Sequence, residues 1–205
     1  MLLTTLLQAD PHGRLAGDPL KIMIMDTETT GFAFRDRILQ FSACRGDGTT
    51  LVNELFKPEG IKSWPRAQQV NGISPEQIKN ARTFREAGER CRAMMAGMLA
   101  VAGWNLGYDL RMMRQSGVEP PRGPAYIDLM RLLPAGMAGS KSLESVSCRY
   151  GFDPGSAPRH NAIVDVWATL HAFCGMLRDP DLDPPAFRAW RQLLQQGGNC
   201  GLCRG

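Results

Sequence analysis

Asp26 and Glu28 stand at the end of a short apolar run, Leu20-Lys21-Ile22-Met23-Ile24-Met25, that reads as a strand covered on both faces. Side chains two apart on a strand leave the same face, so both carboxylates project side by side from the edge of a sheet. Like charges that close are unfavourable unless a cation lies between them. A site built of carboxylates and lacking cysteine selects hard divalent ions, Mg2+ or Mn2+, over Zn2+. The competing reading is of two solvated acids at a strand-to-turn junction. Asp165 weighs against it, because it lies early in a helical stretch beside an apolar stripe, where an acid without a task is unwelcome. Histidine titrates near neutrality and can take a proton from water, so His160, just ahead of that helix, has a chemical use beside the plainer one of a surface residue. Asp109 is a fourth acid, placed after a second buried run; alone it could simply favour the start of its own helix through the dipole.

These residues need elements to position them. Residues 37–44 and 50–56 are β-type runs, and Gly46-Asp47-Gly48 between them predicts a hairpin. Ser74-Pro75-Glu76-Gln77 carries a capping serine, proline at the first helical position and a reciprocal glutamine, which predicts a short helix from Ser74. Thr83-Phe84-Arg85-Glu86 repeats that logic ahead of Ala87, Cys91, Met94, Met95 and Met98, a core-facing stripe at helical spacing. Residues 99–104 read as a buried strand, followed by a helix whose inner stripe is Leu106, Leu110 and Met113. A short strand at 125–128, a helix at 142–150 ended by Gly151, and a longer helix at 162–177 complete the order. In the last of these, Ile163, Val166, Trp167, Leu170, Phe173 and Leu177 are expected on one side. Strands first, then strands alternating with helices, argue for an α/β layer fold with a mixed sheet.

Three segments carry a resemblance to a known family. Asp26-Thr27-Glu28-Thr29-Thr30-Gly31, Asn105-Leu106-Gly107-Tyr108-Asp109 and His160-Asn161-Ala162-Ile163-Val164-Asp165 resemble, in order and spacing, the three exonuclease motifs of the DnaQ-like (DEDDh) 3′→5′ exonucleases. Lesser echoes are Asn71-Gly72-Ile73-Ser74, Ile127-Asp128-Leu129, and Lys141-Ser142-Leu143 leading to Arg149-Tyr150-Gly151. The resemblance implies an RNase H-like α/β fold with a mixed five-stranded sheet flanked by helices, over about residues 20–177. It further implies two divalent cations, Mg2+ or Mn2+. Asp26, Glu28 and Asp165 would hold the first, Asp26 would be shared, Asp109 would support the second, and His160 would take the proton of the attacking water. Thr27, Thr29, Gly31 and Phe32 after the first motif, with Asn105 and Tyr108 of the second, would contact the terminal nucleotide. Phe32 has an alternative as a core or sheet-covering residue. Trp104, Asn71 and Arg66 depart from the residues that many members carry near the nucleotide, which touches substrate preference rather than the five metal and base positions.

Composition bounds the rest. The chain has 205 residues, 43% hydrophobic and 21% charged, which excludes a disordered, collagenous or coiled-coil protein. A net charge of +4 is compatible with a polyanionic partner without demanding one. No apolar stretch reaches the ~20 residues of a membrane span, and the leucine-rich start has neither a basic region nor a cleavage site, so a cytoplasmic setting is expected. The six cysteines then read as reduced thiols, and the single Cys200-x-x-Cys203 pair as thin ground for zinc. Residues 1–19 are assigned to an N-terminal extension, 20–177 to the exonuclease domain, and 178–205 to a C-terminal helix, with apolar residues from 186 to 196, and a glycine-rich tail. The expected partner is a single-stranded or frayed 3′ end, DNA in preference to RNA, with a DNA polymerase as a candidate protein partner and no membrane. An RNA-trimming exoribonuclease of the same metal chemistry, or a catalytically silent nucleic-acid-binding subunit, are the alternatives.

Overall fold

β1 (Ile22–Thr29) carries large apolar side chains on both of its faces, and that double burial organises the molecule. The computed structural model describes residues 21–133, 139–155, 160–179 and 182. β2 (Ile38–Arg45) returns antiparallel to β1, and β3 (Thr50–Leu55) pairs antiparallel with β2. The turn between β2 and β3 closes as expected, with the Gly48 and Thr49 backbone bonded to Arg45 and Gly48 at a φ of 88° that favours glycine. β4 (Ala100–Gly103) and β5 (Ala125–Asp128) then add in parallel on the other side, so the sheet order is β3-β2-β1-β4-β5. This is the mixed five-stranded sheet of an RNase H-like α/β fold.

Five α-helices are described. They are α1 (Pro65–Asn71), α2 (Phe84–Ala96), α3 (Leu106–Gln115), α4 (Leu143–Arg149) and α5 (Ala162–Arg178). α2 starts on the expected capping box, with Thr83 and Glu86 bonded reciprocally. The period-two alternation of β1 divides the core. Met23 and Met25 pack with Phe41, Phe84, Cys91, Met95, Leu106 and Met112 beneath α2 and α3, while Ile22 and Ile24 pack with Val146, Val166, Leu170 and Phe173 beneath α4 and α5.

Two local expectations fail, and one helix was not expected. The chain after Ser74 forms turns instead of an α-helix, although Ser74 and Gln77 make their reciprocal bonds. Ile78 is buried with Trp64, Ile73 and Leu39, and Lys57 bridges to Thr83 shortly after, so tertiary anchors at both ends leave no room for further helical turns. α1 lies just upstream, where no amphipathic stripe announces it: none of its residues is fully buried, and it starts on proline and ends at a left-handed Gly72. Trp167 is 43% exposed. The inner line of α5 runs through Val166, Leu170, Phe173 and Leu177, and Trp167 sits one residue, or about 100°, off that line. Among the described residues no helix is long and apolar enough to cross a membrane. The leader, the expected 186–196 helix and the Cys200/Cys203 pair lie outside the described residues.

Candidate active site

β4 keeps pace with β1 only from Ile22 to Ile24 and then leaves it, so the β4-facing edge of β1 from Met25 onward lacks a strand partner. An unpaired backbone donor inside a protein needs another acceptor, and Asp109 of α3 supplies one. Its Oδ1 accepts from the Thr27 N–H at 3.1 Å and from the Thr27 hydroxyl at 2.6 Å. Thr27 shares the face of Met23 and Met25, which places Asp109 at the mouth between β1 and β4, while Asp26 and Glu28 leave the opposite, α5-facing side. α5 brings in the remaining groups. Asn161 caps it by accepting from Ile163 N–H, and Asp165 falls in its first turn. His160 adopts a φ of 54°, unusual outside glycine, at the point where the chain turns into the helix. Ligand-capable atoms of Glu28, His160 and Asp165 all lie within 4.8 Å of one another.

Burial of Val166, Leu170, Phe173 and Leu177, at roughly 1.5–3 kcal/mol for each large side chain, holds α5 on the sheet against the cost of bringing Asp165 up to the other acids. A buried amide fixes the helix start: Gln40 Oε1 on β2 accepts from Ala162 N–H at 3.3 Å, and its Nε2 donates to Asn53 on β3 at 2.8 Å. Sequence reasoning passed over Gln40. The available signal was a glutamine inside a wholly buried strand, since such a group must find partners.

The rim is built by β1, the loop after it and α3. Thr29 Oγ1 and Tyr108 Oη lie 2.5 Å apart and both approach the Gly31 carbonyl, at 3.0 and 2.9 Å. Phe32 is 82% exposed and tilts over Tyr108 with ring centroids 5.6 Å apart, so it is not a core residue. Asn105 is exposed with a φ of 59°, and its N–H donates to Asp128 at 3.0 Å. Thr27 is buried, its hydroxyl and N–H both committed to Asp109, which makes it a holder of that carboxylate. Asn71, one of the departures noted above, donates to the Thr29 carbonyl at 3.2 Å and hydrogen-bonds the Glu28 side chain.

The family model described as Exonuclease, of the RNase T type, matches residues 23–173. The chain belongs to the DnaQ-like exonuclease family. A protein of Rhodobacter capsulatus called DNA polymerase III subunit epsilon-like is 28% identical over 170 residues, which cover 78% of this chain and 24% of that one. Solved structures of exonuclease I share the fold. One from E. coli in complex with a dA16 oligonucleotide has a TM-score of 0.61 at 21% identity, covering 82% of this chain and 42% of that one. The zinc-bound form of an E. coli exonuclease I complex with single-stranded DNA has a TM-score of 0.61 at 22% identity, covering 78% and 41%. This chain therefore spans about a quarter to under half the length of these relatives.

The charge state of this DnaQ-like site follows from its burial. Asp26 is raised well above the usual carboxylate range by desolvation and then by Asp109, Asp165 and Glu28. Desolvation, joined by Asp165, pushes Glu28 up to about 8 against the opposing Asn71 bond. Asp109 is pushed up by burial to about 7 despite the Thr27 bonds, and burial raises Asp165, which His160 opposes. Four acids thus disfavour their own ionisation. Oxygen donors around a pocket of repelling carboxylates suit a hard divalent cation, and Asp26, Glu28, Asp109 and Asp165 are the residues that would hold one.

A pH signature follows for the metal-free protein. Between the ordinary value of about 4.5 and the raised value of about 8 for Glu28, the folded state binds more protons than the unfolded one. Stability is therefore greatest below the ordinary value and is lost as pH rises through the raised one. In chelator the melting temperature should fall between about pH 5 and 8.5, and saturating Mn2+ should remove most of the decline. A melting temperature in chelator that is flat across that range would contradict the assignment of buried acids that resist ionisation.

Proposed function

We propose that this chain is a metal-dependent 3′→5′ exonuclease that releases nucleoside 5′-monophosphates from DNA 3′ ends in the cytoplasm. The observation that carries the proposal is the convergence of Asp26, Glu28, Asp109, Asp165 and His160, from three separated segments, at one end of the sheet. Two Mg2+ or Mn2+ ions would supply nucleophile activation and charge neutralisation on the entering and leaving oxygens of an in-line displacement. Asp26, Glu28 and Asp165 would hold one ion, and Asp26 with Asp109 the other. His160 is exposed at the rim of the cluster, so its imidazole takes the proton of the attacking water and passes it to solvent. Water adds to the terminal phosphodiester, the bond from phosphorus to the neighbouring 3′ oxygen breaks, that oxygen takes a proton from solvent, and a shortened strand leaves with a new 3′ hydroxyl. Thr27 keeps Asp109 in place, and Thr29, Gly31, Phe32, Asn105 and Tyr108 form the wall that receives the terminal nucleotide.

The choice of DNA, and of a polymerase as partner, is supported by the polymerase III epsilon-like relative. A single-stranded 3′ end is supported by the oligonucleotide complexes of exonuclease I. The test uses 5′-labelled single-stranded DNA and RNA oligonucleotides with Mg2+, Mn2+ or chelator. A metal-dependent ladder shortening from the 3′ end, faster on DNA, is expected. Faster shortening of RNA would make the enzyme an exoribonuclease, and inertness toward both strands would refute the activity.

A further inference from the structure

The most exposed large apolar side chain among the described residues is Phe34, 84% open to solvent and close in sequence to Phe32 at 82%. Exposure of two phenylalanines is ordinary in a floppy loop, but this loop is clamped. Asp36 Oδ1 accepts from the Thr30 hydroxyl at 2.6 Å and Oδ2 from Ala33 N–H at 2.6 Å, while Arg37 N–H donates back to Thr30 Oγ1 at 3.0 Å. The Thr30 N–H closes the loop on the Arg37 carbonyl at 2.9 Å. From the side, Gln115 Nε2 of α3 donates to the Phe34 carbonyl at 2.6 Å, and Arg111 reaches the Phe32 carbonyl at 3.5 Å. The backbone is thus fixed by its own polar groups, and neither ring is needed to hold it. Two rigidly presented aromatics with no part in the core form an interaction surface.

The chemistry around them identifies the occupant. The Arg111 guanidinium lies over the Tyr108 ring, 5.2 Å from its centroid, and Phe32 tilts over the same ring. Arg35 is exposed between Phe34 and the clamp. Aromatic faces interleaved with exposed arginines match a strand of stacked bases and phosphates, and every base offers a π-face whatever the sequence. The platform is continuous with the acids, because Tyr108 precedes Asp109 and touches Thr29 of β1. We propose that Phe34 is a stacking subsite for an unpaired base upstream of the terminal nucleotide, so that the β1–β2 loop selects single-stranded over paired 3′ ends. This inference rests on the exonuclease reading above and adds to it a binding position upstream of the terminal nucleotide and the residue that forms it. A base can lie on Phe34 only after leaving its duplex partner, which penalises a paired end.

The test separates this subsite from the reaction centre. In Phe34→Ala, KM for a single-stranded DNA 12-mer should rise about tenfold with kcat little changed, the scale of one lost base–aromatic stack. Hydrolysis of the p-nitrophenyl ester of thymidine 5′-monophosphate, which has one nucleotide and no upstream base to lie on Phe34, should be unaltered. Phe34→Trp should restore the 12-mer KM. Anisotropy of a fluorescein-labelled 12-mer in chelator reads the same subsite without turnover, and Phe34→Ala should weaken that binding by a similar factor. Equal losses on the ester and the 12-mer, or unchanged KM and binding in Phe34→Ala, would overturn the subsite. Failure of the unsubstituted protein to hydrolyse the ester would refute the exonuclease reading, with anisotropy still deciding whether Phe34 binds the strand.

Discussion

Asp26→Asn is expected to lower turnover on single-stranded DNA by at least about a thousandfold while making the metal-free protein more stable at pH 8. The two effects share one cause. Asp26 is held above the ordinary carboxylate range by burial and by Asp109, Asp165 and Glu28, so ionising it costs the fold free energy. Asparagine keeps the size, removes the charge, and takes away an oxygen donor that both ions would share. Losses of about 10²–10³ accompany removal of one group that stabilises transition-state charge, and a ligand common to two ions should exceed that. Stabilisation of about 1 kcal/mol would move the melting temperature by about 2–4 °C in a chain of this size. Turnover kinetics and melting curves in chelator measure the two halves separately. Wild-type turnover would remove Asp26 from the chemistry. A lower melting temperature at pH 8 would mean that its carboxylate is a structural acceptor rather than a strained acid.

His160→Ala should reduce kcat by about 10²–10⁴, the usual worth of a positioned general base. The geometry leaves a sharp alternative, because His160 lies within ligand distance of Glu28 and Asp165. Calorimetric titration with Mn2+ distinguishes the roles. Unchanged affinity with a collapsed rate makes the imidazole a base, whereas a tenfold or greater loss of affinity makes it a ligand. The exposed, left-handed position of His160 ahead of the α5 cap favours the first, since a base must exchange its proton with solvent in every cycle.

Phe34 shows where sequence reading stops. Its apolar type points inward, yet a hydrogen-bonded turn organised by Asp36 and Thr30 holds the chain so that the ring faces water. Trp167 misled in the same way, because helical periodicity gives an angle around the axis but not the width of the buried face. Ser74 had a complete capping signal and no helix after it, since Ile78 and the Lys57–Thr83 bridge anchor the chain on a shorter path.

What the sequence determined by itself was local: the doubly buried β1 with Asp26 and Glu28 on one face, the β2–β3 hairpin, the capped start of α2, the helical runs of α4 and α5, and the three motifs that carry the family. Those features are written within a few residues of one another, in spacing and capping chemistry that act before distant parts of the chain meet. Only the tertiary structure decided how the motifs converge. Asp109 reaches the site because β4 parts from β1 after Ile24 and leaves the Thr27 N–H to be satisfied by a carboxylate. Asp165 reaches it because Gln40 and the apolar line of α5 seat that helix across β1 and β2. Strand order and register join residues more than eighty positions apart, and no window of the chain contains both partners of such a contact.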